Sequence, residues 1–95
     1  MRDYEVMTIH RPDLAEDDVE RSVSAVEAHL SQNGAEPTKR DNWGKRRFAY
    51  EIDHLSEGYY SVVSFKGSPS AVSSLDRMLT LADEVVRHKI VRIGE

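Results

Sequence analysis

Residues 2–9 alternate, with Tyr4, Val6 and Thr8 on one side and Glu5, Met7 and Ile9 on the other, a period of two that predicts a strand. The ladder is expected to stop near Arg11-Pro12, because proline has no amide proton to donate. Beyond it the period changes. Val19, Val23, Val26 and Leu30 recur at spacings of four, three and four, the apolar stripe of an amphipathic helix. Glu16, Asp17 and Asp18 occupy its first turn, where carboxylates complement the positive end of the helix dipole, and Asn33-Gly34 supplies the left-handed residue that closes many helices.

Residues 35–38 and 47–52, the latter alternating through Phe48, Tyr50 and Ile52, predict strand on either side of a basic connecting stretch that contains Trp43-Gly44. Pro37 assigns this strand to a sheet edge. Residues 54–57 predict a polar turn closed by Gly58, followed by a third strand over 59–66 with usable side chains on both faces. Ser68-Pro69 is a helix start, serine capping and proline in the first turn, and Val72, Leu75 and Leu79 mark the buried stripe behind it. A last strand over 85–93 alternates His88 and Ile90 with Arg87, Lys89 and Val91.

The predicted order is β-α-β-β-α-β. Two helices can cover only one face of a four-stranded antiparallel sheet, so the fold expected is α+β, a ferredoxin-like βαββαβ sandwich with one face open. With Tyr4, Val6, Ala35, Pro37, Val63, Phe65 and Ile90 turned to the helices, alternation puts Met7, Ile9, Tyr60, Val62, Arg87, Lys89 and Val91 on the open face. A mixed apolar and cationic surface of that kind marks a partner site.

At 95 residues the chain is expected to form one domain. The absence of cysteine excludes disulfides, thiolate metal sites and cysteine nucleophiles, and no apolar run reaches the roughly 20 residues that span a bilayer. Met1 followed by Arg2 and Asp3, with no apolar run behind, predicts no signal peptide and hence a cytoplasmic protein without a membrane partner. The net charge of −4 argues against a nucleic-acid binder until its distribution is considered. Residues 39–47 carry Lys39, Arg40, Lys45, Arg46 and Arg47 against Asp41 alone, whereas residues 13–27 carry six acids against Arg21. The charge is sorted by segment.

Catalytic signals are weak. His10, His29, His54 and His88 have no metal-ligand spacing and read as surface or boundary histidines, the glycines are isolated, and the helical serines have no activating partner in sight. No cofactor, metal or small-molecule substrate is expected. A ferredoxin-like dimeric ligand-binding module or cofactor-free enzyme, using the open face with His88 or His54 as a base, is the alternative reading and rests on fold analogy alone. The third strand fails the RNA-recognition signature that shares this fold order, because Ser61 and Ser64 stand where stacking aromatics belong. The stretch Trp43-Gly44-Lys45-Arg46-Arg47-Phe48-Ala49-Tyr50 has two readings: cations and rings that meet a ribose-phosphate backbone, or a solvated segment whose cations answer the acidic helix.

That stretch, together with Met1-Arg2-Asp3-Tyr4-Glu5-Val6-Met7, Glu57-Gly58-Tyr59-Tyr60 and Leu75-Asp76-Arg77, resembles the bacterial small-subunit ribosomal protein S6 family in register over nearly the whole chain. The resemblance implies a ferredoxin-like protein without enzymatic activity that binds small-subunit (16S) ribosomal RNA together with ribosomal protein S18. The family's Arg2, Trp43, Lys45, Arg46 and Arg47 are all present here and, with Arg87, Lys89 and Arg92 of the last strand, are the candidate RNA contacts, while Met7, Ile9, Tyr60, Val62 and Val91 of the open face are the candidate surface for the protein partner. Pro37, Phe48 and His88 depart from the residues usual in the family and bear on local packing.

Overall fold

The computed structural model describes residues 1–94. Its elements run β1 (Arg2–His10), α1 (Glu16–Gln32), β2 (Glu36–Ile52), β3 (Leu55–Gly67), α2 (Pro69–Leu81) and β4 (Val85–Ile93). The strands form one antiparallel sheet in the order β2-β3-β1-β4 with the helices packed on one side, which is the ferredoxin-like arrangement. β2 lies at an edge, as Pro37 requires. No helix among the described residues is long and apolar enough to cross a membrane.

The central strands carry the core. Tyr4 faces Phe65, Val6 faces Val63 and Thr8 faces Ser61 across β1 and β3. The Tyr4 and Phe65 rings stack at 5.4 Å, and Val19, Val23, Val26 and Leu30 of α1 with Ala71, Leu75 and Leu79 of α2 close over them. Val72 is only half-buried, and Ala71 takes the inner position. Two buried hydroxyls, Thr8 and Ser61, satisfy each other at 2.8 Å. Ser68 caps α2 by accepting from the Ala71 amide, whereas α1 starts after Ala15 without a side-chain cap and relies on Glu16, Asp17 and Asp18 in its first turn.

Two boundaries differ from the sequence expectation. The basic stretch is no connection: β2 runs unbroken through it, and β3 begins at Leu55, not Tyr59. The turn is Asp53-His54 alone, both residues with positive φ (50° and 65°), as a two-residue hairpin loop of matching twist demands. The segment around 38–50 is therefore one strand of a long β2–β3 hairpin. Its outer part, residues 46–57, runs past the last β1 pairing, His10 with Tyr59, as a two-stranded arm. Gly58 sits at the base of that arm. A Cβ there would lie 2.8 Å from both the His10 carbonyl oxygen and the Ile9 Cγ2, and 3.0 Å from the Phe48 ring.

His10 corrects a second expectation. It belongs to the end of β1, fully buried, and not to a surface turn. Its Nε2 lies 3.0 Å from Ser22 Oγ, and Ser22 in turn donates to Glu84 Oε2 at 3.3 Å. Arg11 reinforces the same junction, its Nε donating to the Asp83 carbonyl and its amide to the Glu84 carbonyl. Serine, histidine and glutamate thus meet, but the carboxylate addresses the serine while His10 Nδ1 is buried without a hydrogen bond of ordinary geometry. That arrangement lacks the orienting contact of a nucleophilic triad. Burial holds the imidazole below its ordinary value, against smaller opposing influences of the Tyr59 backbone and the Glu84 carboxylate.

Gly58→Ala is expected to destabilise the fold by roughly 1–3 kcal/mol in urea unfolding, because the added methyl has only backbone and packed side chains to displace. His10 gives stability a pH dependence. Since its folded-state value is lowered, the unfolded chain takes up the proton first as pH falls below about 6.5, and folding stability declines until the folded ring also protonates. Between pH 7 and 5 the wild type should lose more unfolding free energy than His10→Gln. Equal losses would show that the ring does not titrate differently in the two states.

Candidate functional site

The pairing register fixes what shares the open face. Across β2, β3, β1 and β4, one row reads Gly44, Tyr60, Ile9 and Arg87, the next Asp41, Val62, Met7 and Lys89, and the third Lys39, Ser64, Glu5 and Val91. Trp43 is an extra residue on β2, placed by a bulge between Asn42 and Gly44, and its ring lies parallel to Tyr60 with centroids 6.1 Å apart. Phe48 meets Tyr60 edge-on at 6.0 Å. A groove of about 310 Å³ runs between Trp43, Val62, Met7 and Val91, with Glu5, Asp41 and Lys89 at its rim. A neighbouring groove of about 280 Å³ is bordered by Met7, Ile9, Arg87 and Lys89.

The basic stretch divides between the two faces of β2. Arg40 is turned toward α1, where its Nε and Nη2 donate to Glu27 at 3.2 and 2.6 Å, Nη2 also reaches Ser24 Oγ at 2.9 Å, and Nη1 pairs with Glu20. Asn42, two residues on, donates to Glu20 at 3.3 Å. The hydrogen bond to Glu27 above all holds the Arg40 guanidinium above its ordinary value. Lys45 sits over the Tyr59 ring at 5.1 Å, and Arg46 Nε donates to the Trp43 carbonyl at 3.0 Å. Arg47 is exposed and forms no ion pair with a described residue. Tyr50, further along the arm, is 84% exposed.

The candidate RNA residues therefore do not form one cluster. Trp43, Lys45, Arg46 and Arg47 lie together on β2 where the arm begins. Arg87 and Lys89 lie on the opposite edge strand, on the open face beside Met7 and Ile9. Arg2 and Arg92 are at the far end of the sheet on the helix-facing side, Arg92 in register with Tyr4. Of the candidate partner surface, Met7, Tyr60, Val62 and Val91 share the open face, while Ile9, on the same face, is 8% exposed, close against Gly58 at the base of the arm.

Neither histidine of the alternative reading is on the open face. His88 pairs with helix-facing Thr8, and its Nε2 is 2.8 Å from Asp76 Oδ1 on α2. His54 is in the hairpin turn. His29, on the polar side of α1, is 2.8 Å from Ser74 Oγ and joins the two helices. Among the described residues no His, Asp and Glu side chains gather as a metal-ligating group.

Sequence reasoning missed Arg40 as a structural residue. The signal was present on the helix: Glu20, Ser24 and Glu27 recur at four and three, a polar stripe beside the apolar one, waiting for a cation. The His10, Ser22 and Glu84 junction had no comparable signal, because its members lie on three elements.

The family model described as ribosomal protein S6 matches residues 3–92. The small ribosomal subunit protein bS6 of Desulforamulus reducens is 45% identical over 95 residues, all of both chains. That of Carboxydothermus hydrogenoformans is 47% identical over 92 residues, covering 97% of this chain and 96% of its own. The crystal structure of 30S ribosomal protein S6 from Thermotoga maritima superposes with a TM-score of 0.93 at 29% identity, over 97% of this chain and 87% of that one.

Arg40→Ala should lower the unfolding free energy by roughly 1–2 kcal/mol, since hydrogen bonds to charged groups are the strong ones but Glu20 is half exposed and screened. Arg40→Lys should recover only part of this, a point charge being unable to fork between two carboxylates. Unchanged stability of the alanine variant would show that the cluster makes no net contribution.

Proposed function

The chain belongs to the ribosomal protein S6 family, and on that premise we propose that it is a structural constituent of the small ribosomal subunit that binds the subunit's 16S RNA jointly with ribosomal protein S18. The assignment is to a ribosomal component, not to an enzyme. One observation supports the RNA role most directly. The acidic helix engages Arg40 and Asn42 of the basic strand, but Lys45, Arg46 and Arg47 stay outside that network, exposed beside Trp43 where the arm leaves the sheet. Cations so placed meet phosphates without first breaking an ion pair.

Arg2 and Arg92 form a second, smaller basic site at the other end of the sheet. The open face, with Met7, Tyr60, Val62 and Val91, is the surface assigned to the protein partner, and Arg87 and Lys89 border it. A protein of net charge −4 with few phosphate contacts gains little from counterion release, so firm RNA binding depends on a partner that adds contacts.

Binding of a 16S RNA fragment, measured with and without S18 over a salt series, tests this reading. Affinity is expected to rise when S18 is present. Replacing Lys45, Arg46 and Arg47 together by Ala should weaken assembly and flatten the slope of log affinity against log salt by about 2–3, at somewhat under one counterion per phosphate contact, while unfolding stability is retained. Equal affinity with and without S18 would remove the cooperative part, and an unaltered slope would remove the strand from the RNA interface.

A further inference from the structure

The last turn of α1 runs out into Asn33, its C-cap, and Gly34, which has φ 79°. This pair carries a latent reaction. Bonding the Gly34 amide nitrogen to the Asn33 side-chain carbon Cγ closes a five-membered ring, and glycine has no Cβ to shield the attacking nitrogen. Ser31, Gln32, Asn33 and Gly34 are all exposed, and a Cβ built on Gly34 would meet nothing within 4 Å, so the ring has room and water has access. In the closed cap the reacting atoms do not meet. With ψ of Asn33 at 20°, the Gly34 nitrogen lies nearly trans to Cβ across the Cα–C bond, whereas the ring needs the two on the same side. What holds the cap shut is slight: the Asn33 amide shared between the His29 and Leu30 carbonyls at 3.1 Å each, the Gly34 amide on the Ser31 carbonyl at 3.3 Å, and Asn33 Nδ2 on the His29 carbonyl at 2.8 Å. With residues 31–34 all exposed, this turn frays without uncovering the core. Firmer structure begins beyond it, where buried Ala35 donates to the Leu30 carbonyl at 2.9 Å.

We propose that Asn33 is a site of spontaneous modification, deamidating through a cyclic imide with Gly34 when the α1 C-cap opens. The Gly34 N–H gives its proton to hydroxide, its nitrogen bonds to Asn33 Cγ, and the Cγ–Nδ2 bond breaks with Nδ2 leaving as ammonia. Water then opens the imide. Attack at Cγ yields aspartate, and attack at the Asn33 main-chain carbonyl yields isoaspartate, with the backbone rerouted through Cβ and Cγ. The sum is asparagine plus water giving a carboxylate and ammonia, with nothing oxidised or reduced, and the net charge goes from −4 to −5. Either product disfavours the closed cap. A carboxylate no longer donates to His29 and sits at the negative end of the helix dipole, and isoaspartate adds a methylene to the main chain just ahead of Ala35. Asn42, the other asparagine of the chain, is held differently: it pairs with Ser61 within β2, its side chain donates to Glu20 at 3.3 Å, and Trp43 follows it, whose bulk screens the attacking nitrogen.

Incubation of the folded full chain at mildly alkaline pH, followed by peptide mapping in a mass spectrometer, tests this. Trypsin, which cuts after Lys39 and Arg40, puts the two asparagines on separate peptides. Isoaspartate is read independently, by methyl transfer from labelled S-adenosylmethionine with an isoaspartyl methyltransferase. Asn33 should convert at least about tenfold faster than Asn42, because a fraying helix end opens at a small fraction of the global unfolding free energy and a mid-strand position does not. Asn33→Gln, whose ring would be six-membered, should leave the peptide of residue 33 without a methyl acceptor. If Asn33 stays intact in the folded chain while it converts in the urea-unfolded one, the cap is closed to the reaction and the proposal is overturned. Equal conversion of Asn33 and Asn42 in the folded chain would overturn it too, as would a methyl acceptor persisting in that peptide of Asn33→Gln.

Discussion

A strand residue has only two directions in which to point, and in this chain those directions differ completely: two helices cover one side of a four-stranded sheet and nothing among the described residues covers the other. Every position on β1, β3 and β4 is thereby committed either to a close-packed interior or to a surface that must do something else. Tyr4, Val6, Thr8, Val63 and Phe65 take the first role; Glu5, Met7, Val62 and Val91 take the second. Buried polarity on the covered side is handled in pairs, Thr8 with Ser61 and His10 with Ser22, so that little hydrogen-bonding capacity is lost where water is absent.

β2 escapes the simple rule, and its escape is what separates the basic residues. One bulge after Pro37 and another at Trp43 insert single residues into the strand, and each insertion changes which side the following residues face. Without the first, Arg40 would not reach the acidic stripe of α1. The second sets Gly44 opposite Tyr60 and leaves Trp43 as the extra residue whose ring lies on Tyr60. The same irregularities protect an exposed edge: proline, bulges and repeated cations leave no flat ladder on which another chain could pair.

Much of the architecture was readable in the sequence, for identifiable reasons. α1 and β1 declare themselves because their apolar periods are unbroken, and α2 because Ser68 and Pro69 announce its start. β2 looks like two pieces in sequence because its bulges break the alternation that marks a strand, and the Asp53-His54 turn is hidden because neither residue is a glycine. Parity alone puts Met7, Tyr60, Val62 and Val91, all on regular strands, on one face, as the pairing register does. Charge, which groups the candidate RNA residues in sequence, carries no information on side: Arg2 and Arg92, Arg87 and Lys89, and the β2 cations lie in three places.

Trp43 is the chain's one tryptophan and there is no cysteine. Because that indole is stacked on Tyr60 at the rim of the open groove and not packed in the core, its fluorescence is an optical label at the open face of the sheet, supplied by the native chain. Emission excited selectively through the indole reports on solvent at that face. A single introduced thiol, at any exposed position, would be unique in the molecule and would accept a dye for distance measurement against Trp43. The protein can thus be followed into a complex by spectroscopy without removing any residue of its own.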